Sequence, residues 1–175
     1  MCDLDIDRLF FVETFGRDAD YPGDYPLLHY LDRKTGEVIW IFENDDDALD
    51  IAGIPIEENR SDRERAAADP ERFLEIPGLD HGEHHRIIRQ FLGSDWTDDD
   101  ALWRRANEAY TGSIGRWKRR IADKDVVHAF YDFQDARIAE LAEEFLRENG
   151  ITPNWTRSRT QRVPVAGGTG PGFGR

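Results

Sequence analysis

Two stretches decide the fold: YLDRKTGEVIWI, residues 30–41, and FLEIPGLDHGEHHRIIRQFL, residues 73–92. In the first, Tyr30 and Leu31 precede a polar tetrad, Arg33 to Gly36, and Val38, Ile39, Trp40 and Ile41 follow it. β-Branched and aromatic residues on both sides of a glycine that can take positive φ predict a β-hairpin over 28–42. In the second, Phe73 to Ile76 reads as a short apolar strand stopped by Pro77-Gly78. Asp80 then stands at a helix N-cap with Glu83 three residues on, the spacing of a capping box. Ile87, Ile88, Phe91 and Leu92 give the following helix its apolar stripe.

Working outward, the 175 residues suffice for one domain with a proper core. Ten Phe, five Trp and five Tyr can fill it. The formal charge of −13 disfavours binding of nucleic acid or an anionic membrane by the whole molecule. The same charge allows the opposite idea, a surface that imitates nucleic acid for a basic partner. The single cysteine, Cys2, excludes a disulfide framework and a cysteine zinc cage, and fits a reducing compartment. The opening MCDLDIDRLF lacks the features of a signal peptide, and no window approaches a membrane span. A cytoplasmic protein is the expectation.

Along the chain, DIDRLFFVET (5–14) predicts a first amphipathic helix. Asn44 can cap a short acidic helix, and EENRSDRERAAA (57–68) is helix-prone but so polar that it predicts an exposed helix or a flexible connection. A helix is expected from Ser94 to about Tyr110, and a short one carries Ile114, Trp117 and Ile121. The last runs over 125–150, with Val126, Phe130, Phe133, Ile138, Leu141 and Phe145 as its stripe and Gly150 as its terminal cap. From Pro153 the chain has four arginines, no acid and the Gly-rich run AGGTGPGFG. It is expected to be a flexible basic tail, 153–175, after one domain over 1–152.

These stretches, with FYDFQDARIAELAEEFLRENGI at 130–151, are similar to uncharacterised protein family 0158, a family of small bacterial proteins. The family shows a YLD-x-x-TGEV hairpin, matched by Tyr30, Leu31, Asp32, Thr35, Gly36, Glu37 and Val38. Its R-[FY]-[LV]-x-IP-x-LD turn is matched by Arg72, Phe73, Ile76, Pro77, Leu79 and Asp80, and its C-terminal aromatic helix by Phe130, Phe133, Asn149, Gly150 and Ile151. The resemblance covers about residues 3–151. Where the family has a GRGAFRRFKD-like segment, this chain has TGSIGRWKRRI. No established activity comes with the resemblance.

Three groups of residues can carry chemistry. His81 and His85, at i and i+4, can hold one metal from one helical face, with Glu83 or Asp80 adding a carboxylate, His84 beside them in sequence, and a third or fourth ligand to come from elsewhere, His128 or His29. Against this, Asp80 and Glu83 are already explained as a cap. Arg116, Lys118, Arg119 and Arg120, backed by Arg104 and Arg105 and interleaved with Trp117 and Tyr110, can bind phosphates or single strands. The runs Asp45-Asp46-Asp47 and Asp98-Asp99-Asp100 lack the spacing of a calcium loop and belong at helix starts. No nucleophile elbow, P-loop or dinucleotide fingerprint occurs, so no catalytic residue or cofactor is assigned.

The expectation is an α+β protein: a small antiparallel sheet, from the hairpin and the strand at 73–76, packed by four or five helices. Trp40, Phe73, Ile76, Ile88, Phe91, Trp117, Phe130, Phe133 and Leu141 are its expected core. Its expected function is non-enzymatic, a protein-binding or regulatory module. The alternatives are an acidic decoy whose Asp and Glu of 43–64 form one patch, an RNA-binding module through 116–120, and a metal-dependent enzyme using His81, His84 and His85.

Overall fold

A computed structural model describes residues 2–19 and 27–157. Among them five strands and seven helices follow one another: β1 (Cys2–Asp7), α1 (Arg8–Phe15), β2 (Leu27–Asp32), β3 (Val38–Phe42), α2 (Asp45–Ala52), α3 (Ile56–Ala68), β4 (Phe73–Glu75), α4 (His81–Leu92), α5 (Asp100–Ala109), α6 (Ile114–Ile121), α7 (Lys124–Glu148) and β5 (Ile151–Thr156). The fold is α+β, with more helices than the four or five expected. β2 lies between β3 and β4 in an antiparallel sheet, and β1 and β5 form a second, two-stranded one. The described residues gather into two compact units. A sheet unit takes 3–11, 27–77 and 153–157, and a helical unit takes 2, 12–19 and 78–152.

The hairpin forms as its turn chemistry demands. Gly36 has φ +76°, and the Asp32 carbonyl accepts from the N–H groups of Thr35 and Gly36. A Cβ at Gly36 would stand 1.8 Å from the Asp5 carbonyl oxygen, so no other residue fits. The Asp32 side chain, 0% exposed, closes the turn and ties on β4. It accepts from the Lys34 N–H at 2.9 Å and, in a bidentate pair, from Arg72 at 2.9 and 2.6 Å. Arg72 and Arg65 lie over the Phe73 ring at 5.0 and 5.4 Å.

The sheet's two faces are covered differently. On one, Phe10 of α1 stacks on Trp40 at 5.4 Å and His29 meets the same ring edge-on. On the other, α3 rests on Ile39, Ile41 and Phe73 through Ala66. α3 is anchored by polar groups. Asn59, 0% exposed, gives and takes backbone hydrogen bonds at Phe42 (3.0 and 2.9 Å) and donates to Asp45 at 2.8 Å. Arg60 and Arg63 pair with the same Asp45. The flexible connection allowed for 57–68 is thus a docked helix, held at the outer edge of β3 by a side-chain amide that mimics a neighbouring strand.

In the helical unit, Phe91 of α4 is the hub. Trp96, Trp117, Phe130 and Phe133 surround its ring at 5.0–6.2 Å. α7 starts at Asp123, whose carboxylate caps Asp125 and Val126, and ends before Gly150 at φ +75°. Its buried stripe begins as expected with Val126 and Phe130 but continues through Ile138, Ala139, Ala142 and Leu146. Phe133, Leu141 and Phe145 are half-buried, as is Trp40 in the sheet.

Three further expectations are corrected. Residues 2–7 are a strand, so 5–7 do not start the helix expected over 5–14, because CDLDID alternates: Leu4 and Ile6 are buried, their acidic neighbours mostly exposed. The helix begins at Arg8, where the Asp7 carboxylate accepts from the Phe10 N–H. α5 begins at Asp100, capped by Asp99, because Ser94 to Asp98 forms a loop that lays Trp96 on Phe91. The tail does not begin at Pro153: β5 continues to Thr156, with Trp155 beside Phe11 and the Asn154 amide donating to Asp5. The Gly-rich run and Arg159, Arg162 and Arg175 lie outside the described residues. Among the described residues no helix is long and apolar enough to cross a membrane.

Two outcomes follow from these polar anchors. Burial opposes ionisation of Asp32, but hydrogen bonds from Arg72, the Lys34 N–H and Thr35, with the Arg72 charge, outweigh it and hold its pKa at about 2. A depressed carboxylate stabilises the fold above its unfolded pKa near 3.8 and loses that contribution as pH falls towards 2. Urea unfolding should therefore show about 2 kcal/mol lost across that window in the wild type, and a flat difference in Asp32→Asn, which is weaker from the outset. Asn59→Ala, which strips partners from the Phe42 N–H and C=O, should cost about 1–3 kcal/mol in the same measurement.

Candidate functional site

α4 starts where the sequence places it. The Asp80 carboxylate accepts from the Glu83 N–H at 2.7 Å, and the last two turns carry Ile87, Ile88, Phe91 and Leu92 inward. That phase turns His81, His84 and His85 to one side of the first turns. They line a cleft of about 500 Å³ with Asp18 and the segment Gly112 to Gly115, which leads into α6. The Nε2 atoms of His81 and His85 are 2.8 Å apart. His81 Nδ1 lies 3.8 Å from Asp18 Oδ2, and His85 Nδ1 is hydrogen-bonded to the Tyr110 hydroxyl. The result is a row of four side chains: carboxylate, imidazole, imidazole, phenol. His84 Nε2 is buried and has no hydrogen-bond partner among the described residues.

Burial lowers the His85 pKa, and the neighbouring His81, Arg89 and His84 lower it further against the pull of Asp18. Burial raises that of Tyr110. Both groups are thus held neutral near pH 7.

Of the metal ligands expected from sequence, the structure brings His81 and His85 together and leaves Glu83 out. The Glu83 carboxylate pairs with Arg86. His29 packs against Trp40 in the sheet unit, and His128 stands on α7. Among the described residues no three His, Cys, Asp or Glu side chains converge as a preformed metal centre does. Asp18, 63 residues from His81, had no local signal, and Tyr110 reads in sequence as the end of a helix and a neighbour of the basic cluster, not as a partner of the histidines.

The basic residues of α6 are arranged around a core tryptophan. Trp117 is fully buried and donates through Nε1 to the Ala106 carbonyl at 2.9 Å. Lys118 bonds the Tyr131 hydroxyl and lies over its ring at 5.1 Å. Arg120 bonds Thr111 at 3.1 Å. Arg116 and Arg119 point to solvent. The acidic segment is also internally paired: Asp45 with Arg60 and Arg63, Asp62 with Arg65. Asp99 serves as a helix cap.

The sheet unit holds a larger depression, a groove of about 860 Å³ between α3 and the sheet. Leu28, Tyr30, Ile41, Ala66, Phe73 and Leu74 make it mainly apolar, and Arg33, Arg63, Glu71 and Glu75 carry both signs of charge around it. It exists because α3 has so little to bury: Asn59 and Ala66 are its only buried residues. Leu28, on the strand beneath, stays 41% exposed. Nothing in the sequence marks this groove, because its wall comes from α3 and its floor from β2 and β4.

The chain matches no family model, no curated protein and no solved structure. Nothing in these comparisons bears on the resemblance to family 0158.

The two faces of α6 should respond oppositely to substitution. Trp117→Ala should cost about 3–5 kcal/mol in urea unfolding, as large core aromatics do. Arg116→Glu with Arg119→Glu should leave the melting temperature unchanged.

Proposed function

We propose that this chain is a non-enzymatic protein-binding module of the bacterial cytoplasm, and that it takes an extended apolar segment of a partner protein into the groove beside α3. The supporting observation is the sheet face that α3 leaves bare, with Leu28 exposed at its margin. An apolar floor rimmed by mixed charge is the makeup of a protein-recognition groove. β4 ends the sheet order, so an extended partner can also reach its outer backbone. Arg33 and Arg63 on one hand, Glu71 and Glu75 on the other, then set its direction and register.

The other readings have less support. A nucleic-acid decoy needs a continuous acidic face, whereas Asp45 and Asp62 are engaged by arginines. RNA binding through α6 needs its four cations free, whereas Lys118 and Arg120 are held by Tyr131 and Thr111, and the −13 net charge opposes phosphate.

A photo-reactive phenylalanine analogue placed at Leu28 tests the proposal. In living cells it should give one discrete protein adduct that survives nuclease treatment. Untagged wild-type protein should compete it away, and a change of Ala67, which lines the groove from α3, to glutamate (Ala67→Glu) should remove it while the circular dichroism spectrum stays native. The same analogue at Leu9, which is 79% exposed, should give none. An adduct that persists in Ala67→Glu, that vanishes with nuclease, or that forms equally from Leu9 would end the groove reading.

A further inference from the structure

We propose that the cleft of the helical unit is a transition-metal site, with Nε2 of His81 and Nε2 of His85 as the two protein donors and with Asp18 and Tyr110 orienting the rings. The proposal uses the helical unit alone and holds whether or not the groove binds a partner. Its basis is the direction in which the four ring nitrogens face. The two Nε2 atoms converge on each other at 2.8 Å from successive turns of α4. The two Nδ1 atoms face outward to oxygen, one to the Asp18 carboxylate and one to the Tyr110 hydroxyl. Imidazoles that ligate a metal through one nitrogen are typically held by an oxygen group at the other, which fixes the tautomer and the ring plane.

The proton inventory gives the alternative and shows how a cation replaces it. Without metal the row is satisfied in one direction: Tyr110 O–H donates to His85 Nδ1, and His85 Nε2–H donates to His81 Nε2. The His81 Nδ1–H then faces Asp18. A cation between the Nε2 atoms needs a lone pair on each. The His85 proton then resides on Nδ1 and Tyr110 becomes its acceptor. Neither ring has to lose a proton to solvent, so the row accommodates both states.

Size and charge select the ion. Bonds of about 2.0–2.1 Å, usual from imidazole to a late divalent metal, span the 2.8 Å gap at an angle of about 85–90°. That is the angle between neighbouring positions of a square-planar or octahedral shell, and imidazole donors suit Zn²⁺, Ni²⁺ and Cu²⁺ better than Mg²⁺ or Ca²⁺. The cleft's 500 Å³ leaves room for water or a small anion at the remaining positions. Asp18 attracts the cation. Arg89, one turn beyond His85, and the first turn of α6 oppose it, and both favour an oxyanion as the further ligand.

The test uses tag-free, full-length protein in a phosphate-free buffer, with Ni²⁺ and Zn²⁺ as separate probes followed by titration calorimetry and by metal analysis after dialysis. One ion per chain is expected. His81→Ala and His85→Ala should each lose it, Glu83→Gln should keep it, and Asp18→Asn should weaken it about 10- to 100-fold, the usual effect of an orienting partner. Imidazole ¹⁵N spectra of the wild type with Zn²⁺ should shift Nε2 of His81 and His85 and spare their Nδ1, which keeps the test decisive if a variant misfolds. No stoichiometric uptake, uptake that survives His81→Ala, loss in Glu83→Gln, or shifts confined to other histidines would overturn the assignment.

Discussion

A buried carboxylate that must stay charged constrains the sheet unit more than any other group. Asp32 sits at the end of the central strand with no exposure, so its ionised form survives only with a full set of donors. Those donors come from three places in the chain: the turn (Lys34 N–H), the start of β4 (Arg72) and the last turns of α3 (Arg65, at 3.6 Å). Satisfying one side chain thus closes the hairpin, sets β4 against β2 and brings α3 over Phe73. Removing one member leaves a buried charge without compensation, which costs more than the lost contact alone.

The same economy explains why the groove exists. α3 has a sequence that would not fold onto an apolar surface by hydrophobic burial, since twelve of its thirteen residues are polar or charged, or alanines of small area. Asn59 and the Asp45 ion pairs hold it instead, at its N-terminal half, and Arg65 holds the other end. A helix fixed by its polar groups need not fill the space beneath it. The sheet keeps an apolar strip that a leucine-rich helix would have covered, and the cost is an exposed Leu28 and a shallow core.

Sequence showed most where the physics is local. Gly36, Asn44, Asp80 and Gly150 each declare a turn or a cap through their own backbone chemistry, and all four occupy those positions. It misled where the partner is remote. DIDRLFFVET reads as a helix from Asp5, and the pairing that makes 2–7 a strand is with β5, nearly the whole chain away. It was silent where a candidate site is made by two elements meeting: the groove needs α3 beside β2, and the histidine row needs Asp18 and Tyr110 beside α4. Glu83 shows the opposite error. Its spacing suited both a capping box and a metal site, and the neighbouring Arg86 took its carboxylate from both.

The two candidate sites differ in what they ask of the fold. A groove works by shape and area, tolerates small shifts and takes its specificity from a charged rim, so it suits a wall as polar and as narrowly anchored as α3. A two-donor metal site works by fixed angles and tolerates almost no displacement. It stands on the first turns of the helix whose Phe91 is the hub of the aromatic core, with Asp80 capping the same turn and Tyr110 held at the end of α5. The more demanding chemistry therefore lies on the more rigidly determined element. The histidines stay half-open to solvent because the capping residues fix the first turn without burying it.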